Sequence, residues 1–238
     1  MYRNQRISVV MPVYNEAGNI RTAIEDFFSH PIVDEVIAVN NNSADGSADE
    51  IKKTRARYIL ETTQGYGSAL RRGMREATGD IIVTVEPDGT FIAKDLEKLL
   101  IYSDDFDVVF GTRTSRALIW SNANMGFFLR MGNWAVAKFL EYLFNGPSLT
   151  DVGCTYKLIR RYAYEMIKGE LAVSGGHFSP EFMIRILQHK VRCVEVPVHY
   201  RPRVGVSKIT GKTWPATKLG FRMIVFIVKE RVFSWCHL

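Results

Sequence analysis

The chain predicts an α/β protein built on a mostly parallel, doubly wound sheet flanked by helices. Three observations carry this expectation. Short apolar runs alternate with helical patterns from Ile7 onward. Polar clusters follow successive strand-like runs, as at the carboxyl edge of an open sheet, where ligands bind. Ile81 to Val85, β-branched with one Thr, has the composition of a strand buried on both faces, and it runs straight into Glu86-Pro87-Asp88-Gly89.

The elements follow in order. Ile7 to Met11 reads as the first strand, ended by Pro12-Val13-Tyr14-Asn15-Glu16. Asn19 to Phe28 then puts Ile20, Ile24, Phe27 and Phe28 on one helical face. Val36 to Val39 is the second strand, followed by the polar run Asn40 to Ser47, and Ala48 to Arg55 is helix-like. Tyr58 to Leu60 forms a third strand. Gln64-Gly65-Tyr66-Gly67-Ser68 is a loop before a helix from Ala69 to Ala77. The buried strand after it stops at Pro87, which has no N–H for a ladder, and Gly89 allows a sharp turn. A helix from about Lys94 to Tyr102 and a strand from Asp107 to Gly111, ending in Thr112-Arg113, complete the alternation.

Two carboxylates one residue apart at a sheet edge suit Mg²⁺ or Mn²⁺, ions that share phosphate oxygens of a substrate. The competing reading of Glu86 and Asp88 is a solvated acidic turn. Composition narrows the choice only partly. A chain of 238 residues, 47% hydrophobic and 24% charged, is an ordinary globular chain holding one large domain or a domain with an appendage. Its net charge of +6 suits a nucleotide, a lipid phosphate or a membrane surface. Nothing beyond that charge points to nucleic acid. Cys154, Cys193 and Cys236 lack zinc-site spacing and read as free thiols in a reducing compartment. No apolar leader and no uninterrupted apolar run of membrane-spanning length is present, so a spanning helix is not expected. Gly65-x-Gly67 lacks the GxGxxG spacing and does not follow the first strand, which disfavours a dinucleotide oxidoreductase.

Pro12-Val13-Tyr14-Asn15-Glu16, the Asn40–Ser47 loop, Gly65-Tyr66-Gly67-Ser68-Ala69-Leu70-Arg71-Arg72-Gly73 and Glu86-Pro87-Asp88 occur in one order. In that order they resemble a family 2 glycosyltransferase of GT-A fold, over roughly residues 7 to 210. Within the family the look is to dolichol-phosphate mannose synthase and related polyprenyl-phosphate sugar transferases. The resemblance implies that Pro12, Tyr14, Asn15, Glu16, Asn40, Asn41 and Gly67 line the nucleotide site with Glu86, Pro87 and Asp88. It also implies that Glu86 and Asp88 hold the metal. Two departures stand out: the family often has Asp-Asp at 40 and 41, and its DxD is Glu-Pro-Asp here.

Ser115 to Asn145 is dense in aromatics and carries Arg116, Arg130 and Lys138; Phe127, Arg130, Met131, Trp134, Lys138 and Tyr142 recur at helical spacings. Such a helix can lie at a membrane interface or simply pack in a core. The resemblance favours an acceptor-lipid surface. It also places Asp151, within Thr150 to Arg161, as the catalytic base, against the alternative of a turn cap, and puts His177 and Glu181 near the acceptor. Ser179 reads as the cap of a helix from Phe182 to Gln188 with Pro180 at its first position. His199, in a strand-like segment, reads as structural. Arg201, Arg203, Ser207 and Lys208 resemble the family's diphosphate clamp, with Arg113 joining them on the acceptor side; a solvated basic loop is the alternative. Residues 211 to 238 form an apolar tail interrupted by charges, expected to lie on a membrane surface or dock on a membrane subunit.

The expected reaction is inverting transfer of a sugar from UDP or GDP to a polyprenyl phosphate, at the cytoplasmic face of a membrane. A family 2 transferase acting on a sugar hydroxyl, and a catalytically silent nucleotide-sugar-binding subunit, are the alternatives.

Overall fold

The computed structural model describes residues 1–123, 125–204 and 213–236. Seven strands form one sheet: β1 (Ile7–Val13), β2 (Glu35–Asn40), β3 (Arg57–Leu60), β4 (Ile81–Thr84), β5 (Val108–Thr112), β6 (Lys157–Arg160) and β7 (Cys193–Pro197). Their order is β3-β2-β1-β4-β6-β5-β7. Only β6 runs antiparallel, between β4 and β5; the other neighbours are parallel. The expected fold class is therefore the observed one.

Alternation along the strands divides the core in two. Ile7, Val9, Met11 and Val13 of β1 face a cluster with Ile81, Val83 and Tyr156, covered by α1 (Ile20–Ser29) and α4 (Asp95–Tyr102). Val10, Ile37, Val39, Ile82 and Phe110 face the opposite cluster, covered by α3 (Tyr66–Glu76), α5 (Phe127–Phe144) and α7 (Phe178–Gln188). The α2 helix (Ser47–Lys52) leads to β3, and α6 (Arg161–Ile167) follows β6 directly. A long α8 (Thr213–Cys236) packs on α5 and α7 and sends Met223 and Ile227 into the second cluster.

Several elements differ from the sequence expectation. β1 continues through Pro12, paired with Val39 of β2, as far as Val13. Pro12 is tolerated because β4 pairing ends at Val10↔Thr84, so the strand has only one neighbour there. α3 begins at Tyr66, inside the expected glycine loop. β6 was not expected: four residues with Lys and Arg at the ends do not show a strand period, yet Lys157, Leu158 and Ile159 are buried. Ser179 does not cap α7, which starts at Phe178; its hydroxyl instead donates to the Val152 carbonyl at 2.5 Å.

Candidate active site

The carboxyl ends of β1, β2 and β4 converge on the two carboxylates. Gly89 adopts φ +78, turning the chain so that Asp88 Oδ1 accepts from Thr90 N (3.0 Å) and Thr90 Oγ1 (2.5 Å). Asp88 Oδ2 pairs with Arg203 Nη1 at 2.9 Å, and the other arm of Arg203 reaches Glu16. Asn19 Nδ2 ties Glu16 Oε2 (2.9 Å) to the Val204 carbonyl (2.8 Å), while Val204 N donates to Asp88 O and Arg201 N to Thr90 O. The segment 201–204 is thereby folded onto the carboxylates through Arg203. Burial raises the pKa of Glu16 against the pull of Asn19 and Arg203. Burial, with Asp88 close by, pushes Glu86 up to about 7.

The nucleotide-side residues of the resemblance are brought together at the same edge. Tyr14 stays exposed at the rim, and Pro12 lies just inside it. Asn15, at φ +55, accepts from Ala44 N on Oδ1 and donates its own N–H to Ser43 Oγ. Asn40 Oδ1 accepts from Ser43 N, and its Nδ2 donates to Tyr58 OH at 3.2 Å. Asn41 spends its amide entirely on the chain. Nδ2 donates to the Glu61 and Thr63 carbonyls, and Oδ1 accepts from Gly65 N and Gln64 Nε2. Gly67 is buried beneath Val173 and Phe178, and its N–H donates to Ser174 O at 2.8 Å. That N–H is thus already used by the chain. Pro87 is buried between the two carboxylates.

On the acceptor side, Arg113 and Asp151 form a buried two-armed ion pair, Nε to Oδ2 at 2.8 Å and Nη2 to Oδ1 at 2.9 Å, with Arg113 N adding a third bond. Burial alone would raise the pKa of Asp151, but the charge and hydrogen bonds of Arg113 hold it below the ordinary carboxylate value. Arg113 also lies over the Tyr200 ring, and Arg201 lies 4.7 Å over the ring of Trp120. Arg201 Nε is buried without a hydrogen-bond partner among the described residues. Ser207 and Lys208 lie outside the described residues. His199 is held by Asp95 through both its backbone N–H and Nδ1, the structural role expected of it. Glu181 accepts from Ala172 N and Val173 N and builds a loop, while His177 stacks edge-on with Phe226 of α8.

The residues that sequence reasoning missed are hydroxyl-bearing, aromatic or, in one case, acidic. Thr155, Tyr66, Trp120 and Glu195 all touch the site, the last by accepting from Thr150 N and Asp151 N. Only position near a recognised motif could have flagged them. The donor set at Glu86 and Asp88 fits a hard divalent cation, with two carboxylates from the chain and the remaining ligands left to phosphate and water. Among the described residues no cluster of three or more His, Cys, Asp or Glu offers a complete protein cage.

Comparisons with known proteins agree with this geometry. The family model described as glycosyl transferase family 2 matches residues 8–167. The dolichyl-phosphate hexose transferase of Haloferax volcanii is 30% identical over 212 residues, covering 87% of this chain and 88% of the relative. A low-salt glycan biosynthesis hexosyltransferase of the same organism is 27% identical, over 85% of this chain and 49% of its own length. Among solved structures, mannosyl-3-phosphoglycerate synthase from Rubrobacter xylanophilus superposes with a TM-score of 0.76 at 15% identity, covering 98% of this chain and 76% of its own. Glucosyl-3-phosphoglycerate synthase from Mycobacterium tuberculosis, solved with Mn²⁺, UDP and glucosyl-3-phosphoglycerate, gives 0.70 at 17% identity, covering 96% and 80%. Those likenesses are of fold, and the fold is GT-A. With two thirds of its length inside one family model and an ordered set of matching motifs, the chain belongs to glycosyl transferase family 2.

Proposed function

We propose that the protein transfers a hexose, with inversion, from a nucleoside-diphosphate sugar to a polyprenyl phosphate presented at the cytoplasmic face of a membrane. The observation that carries the acceptor reading is an apolar apron beside the cationic side of the site. Phe127 and Phe128 at the start of α5 are 66% and 82% exposed, Met131 and Trp134 follow on the same helix, and Trp120 is 49% exposed beneath Arg201. Further along α5, Asn133 sits against Gly153, next to Arg113. The α8 helix packed beside it exposes Trp214, Phe221, Val225, Val228 and Val232. Among the described residues no helix is long and apolar enough to cross a membrane. A surface-lying chain with a lipid phosphate drawn toward Arg113 and Arg201 accounts for both features. The Haloferax relative, named for dolichyl phosphate, supports the same reading.

In the proposed reaction a phosphate oxygen of the acceptor attacks the anomeric carbon. The bond from that carbon to the donor diphosphate breaks, and the nucleoside diphosphate leaves with the electron pair. Asp88 and Glu86 would hold a Mg²⁺ or Mn²⁺ ion, which would supply neutralisation of charge on the leaving diphosphate. Arg203 pairs with both Asp88 and Glu16, which holds its guanidinium beside the carboxylates, where it would add positive charge to the diphosphate side. A lipid phosphate has a second pKa of about 6, so at neutral pH it is already a dianion and needs no strong base. Asp151, paired with Arg113, accordingly orients that cation toward the acceptor rather than taking a proton.

The test is release of UDP or GDP from a panel of nucleotide sugars with Mn²⁺, with and without polyprenyl phosphate in vesicles. Lipid-stimulated release with a glycolipid product is expected. Stimulation only by phosphoglycerate or a sugar hydroxyl would replace the acceptor reading. Donor binding without turnover on any acceptor would make the protein a silent binding subunit.

A further inference from the structure

Glu86 has a partner that lies 69 residues away in sequence. Thr155, in the loop entering β6, places Oγ1 2.9 Å from Glu86 Oε1, and the Tyr66 hydroxyl lies 2.5 Å from the same Oγ1. As a cation ligand Glu86 is ionised; an ionised carboxylate only accepts, and a threonine hydroxyl carries one proton. Thr155 therefore donates to Glu86, and Tyr66 donates to Thr155. Both members are fixed from behind. Thr84 Oγ1 holds the Thr155 carbonyl at 2.7 Å, and Lys157 binds the Cys154 carbonyl and Ser179 Oγ. Tyr66 reaches its place because glycines flank it. A Cβ at Gly65 would stand 2.2 Å from Ser174 O, and one at Gly67 2.3 Å from Val173 O. The glycine pair therefore serves close backbone packing that delivers the tyrosine ring.

The relay also explains a glutamate where the family pattern has aspartate. An aspartate carboxylate would stop about 1.5 Å short, one carbon–carbon bond, and miss Thr155. Among the described residues Glu86 Oε2 has no hydrogen-bond partner, so the relay engages one oxygen and leaves the other.

We propose that Tyr66 and Thr155 are positioning residues of the cation site, a hydroxyl relay that fixes Glu86 Oε1 so that Oε2 is presented, beside Asp88, to the divalent ion. This rests on the reading of Glu86 and Asp88 as the cation pair. The experiment is Mn²⁺ binding, read from the free-ion electron paramagnetic resonance signal, with and without UDP and with no turnover required. Thr155→Val is expected to weaken Mn²⁺ about tenfold, the usual cost of losing such a partner, and Thr155→Ser to restore it to within about twofold. Tyr66→Phe, which keeps the ring, weakens it in the same direction by less. In a Glu86→Asp background, where the relay cannot reach, Thr155→Val has no further effect. A merely structural role predicts the same loss in both backgrounds, and that result overturns the proposal. So does Mn²⁺ affinity in Thr155→Val equal to wild type. Should Thr155→Val not fold, the comparison of Tyr66→Phe with wild type, in both backgrounds, decides the question. A wild-type protein that takes up no Mn²⁺, with or without UDP, overturns the cation-site reading itself and the relay with it.

Discussion

Asn40 and Asn41 show how one atom decides a role. Asn41 donates to two carbonyls and accepts from two N–H groups, a set that a carboxylate cannot reproduce because it has no donor. Asn41→Asp should therefore set a buried carboxylate against two part-buried carbonyl oxygens and cost roughly 2 kcal/mol in urea unfolding. Asn40 donates only to Tyr58 OH, which can reverse and donate to a carboxylate. Asn40→Asp keeps both hydrogen bonds but brings a charge into a buried place, so it should cost less, about 1 kcal/mol. Similar losses at both positions would show that the amides act on something other than the chain. A second contrast separates two aspartates. Asp151→Asn leaves the buried Arg113 without its counter-charge and should destabilise the fold by about 3 kcal/mol. Asp88→Asn leaves Arg203 with Glu16, so thermal unfolding should hardly move while single-turnover transfer disappears. Comparable losses of transfer at matched folded fraction would undo that ranking.

At the scale of elements, α5 and α8 divide their apolar residues between two duties. Val136, Ala137 and Leu140 of α5, with Met223 and Ile227 of α8, are buried in the core. Phe127, Phe128 and Phe221 leave most of their surface outside the fold. Arg185 joins Glu230 at 2.6 Å, fixing α8 to α7, so the exposed face is presented on a braced helix. Phe127→Ser with Phe128→Ser should leave the melting temperature unchanged yet reduce co-sedimentation with anionic vesicles about tenfold, because aromatic area no longer enters the interface. Unchanged co-sedimentation would remove the membrane from the account of this face.

For the molecule as a whole, the carboxylates fall into two groups. Burial raises Glu86 and Glu195 to about 7, whereas hydrogen bonds and nearby cations outweigh burial and lower Asp151, Glu35 and Glu141. A raised carboxylate keeps its proton in the fold where the unfolded chain has released it, so stability falls as pH rises from about 4.5 to about 7. The lowered groups act in the opposite sense below about pH 4.5, losing their contribution as pH falls through their folded values. His177, lowered by burial and by Arg222, partly offsets the decline on the way to 6.5. The EDTA-treated protein should therefore be most stable near about pH 5, with urea midpoints declining toward pH 7. Glu86→Gln should make that decline shallower. A decline of unchanged slope would place its origin in Glu195 instead.

Much of this architecture was legible one-dimensionally. Period-two and period-3.6 patterning located β1 to β5 and most helices, because burial on one or both faces imposes a local repeat. The carboxylates after β4 stood out because they close an ordered set of motifs, and Arg201 and Arg203 because they resemble the family's diphosphate clamp. What the sequence could not show depends on contacts across long separations. The antiparallel β6 has no period of its own; Thr155 and Tyr66 reach Glu86 from different elements; Arg113 chooses Asp151 over solvent only once both are buried. The sequence by itself determined the layered α/β fold and the family to which the chain belongs. The tertiary structure decided which oxygens are spent on the chain and which are left to face a ligand, because hydrogen-bond partners are assigned by burial and reach, not by order along the backbone.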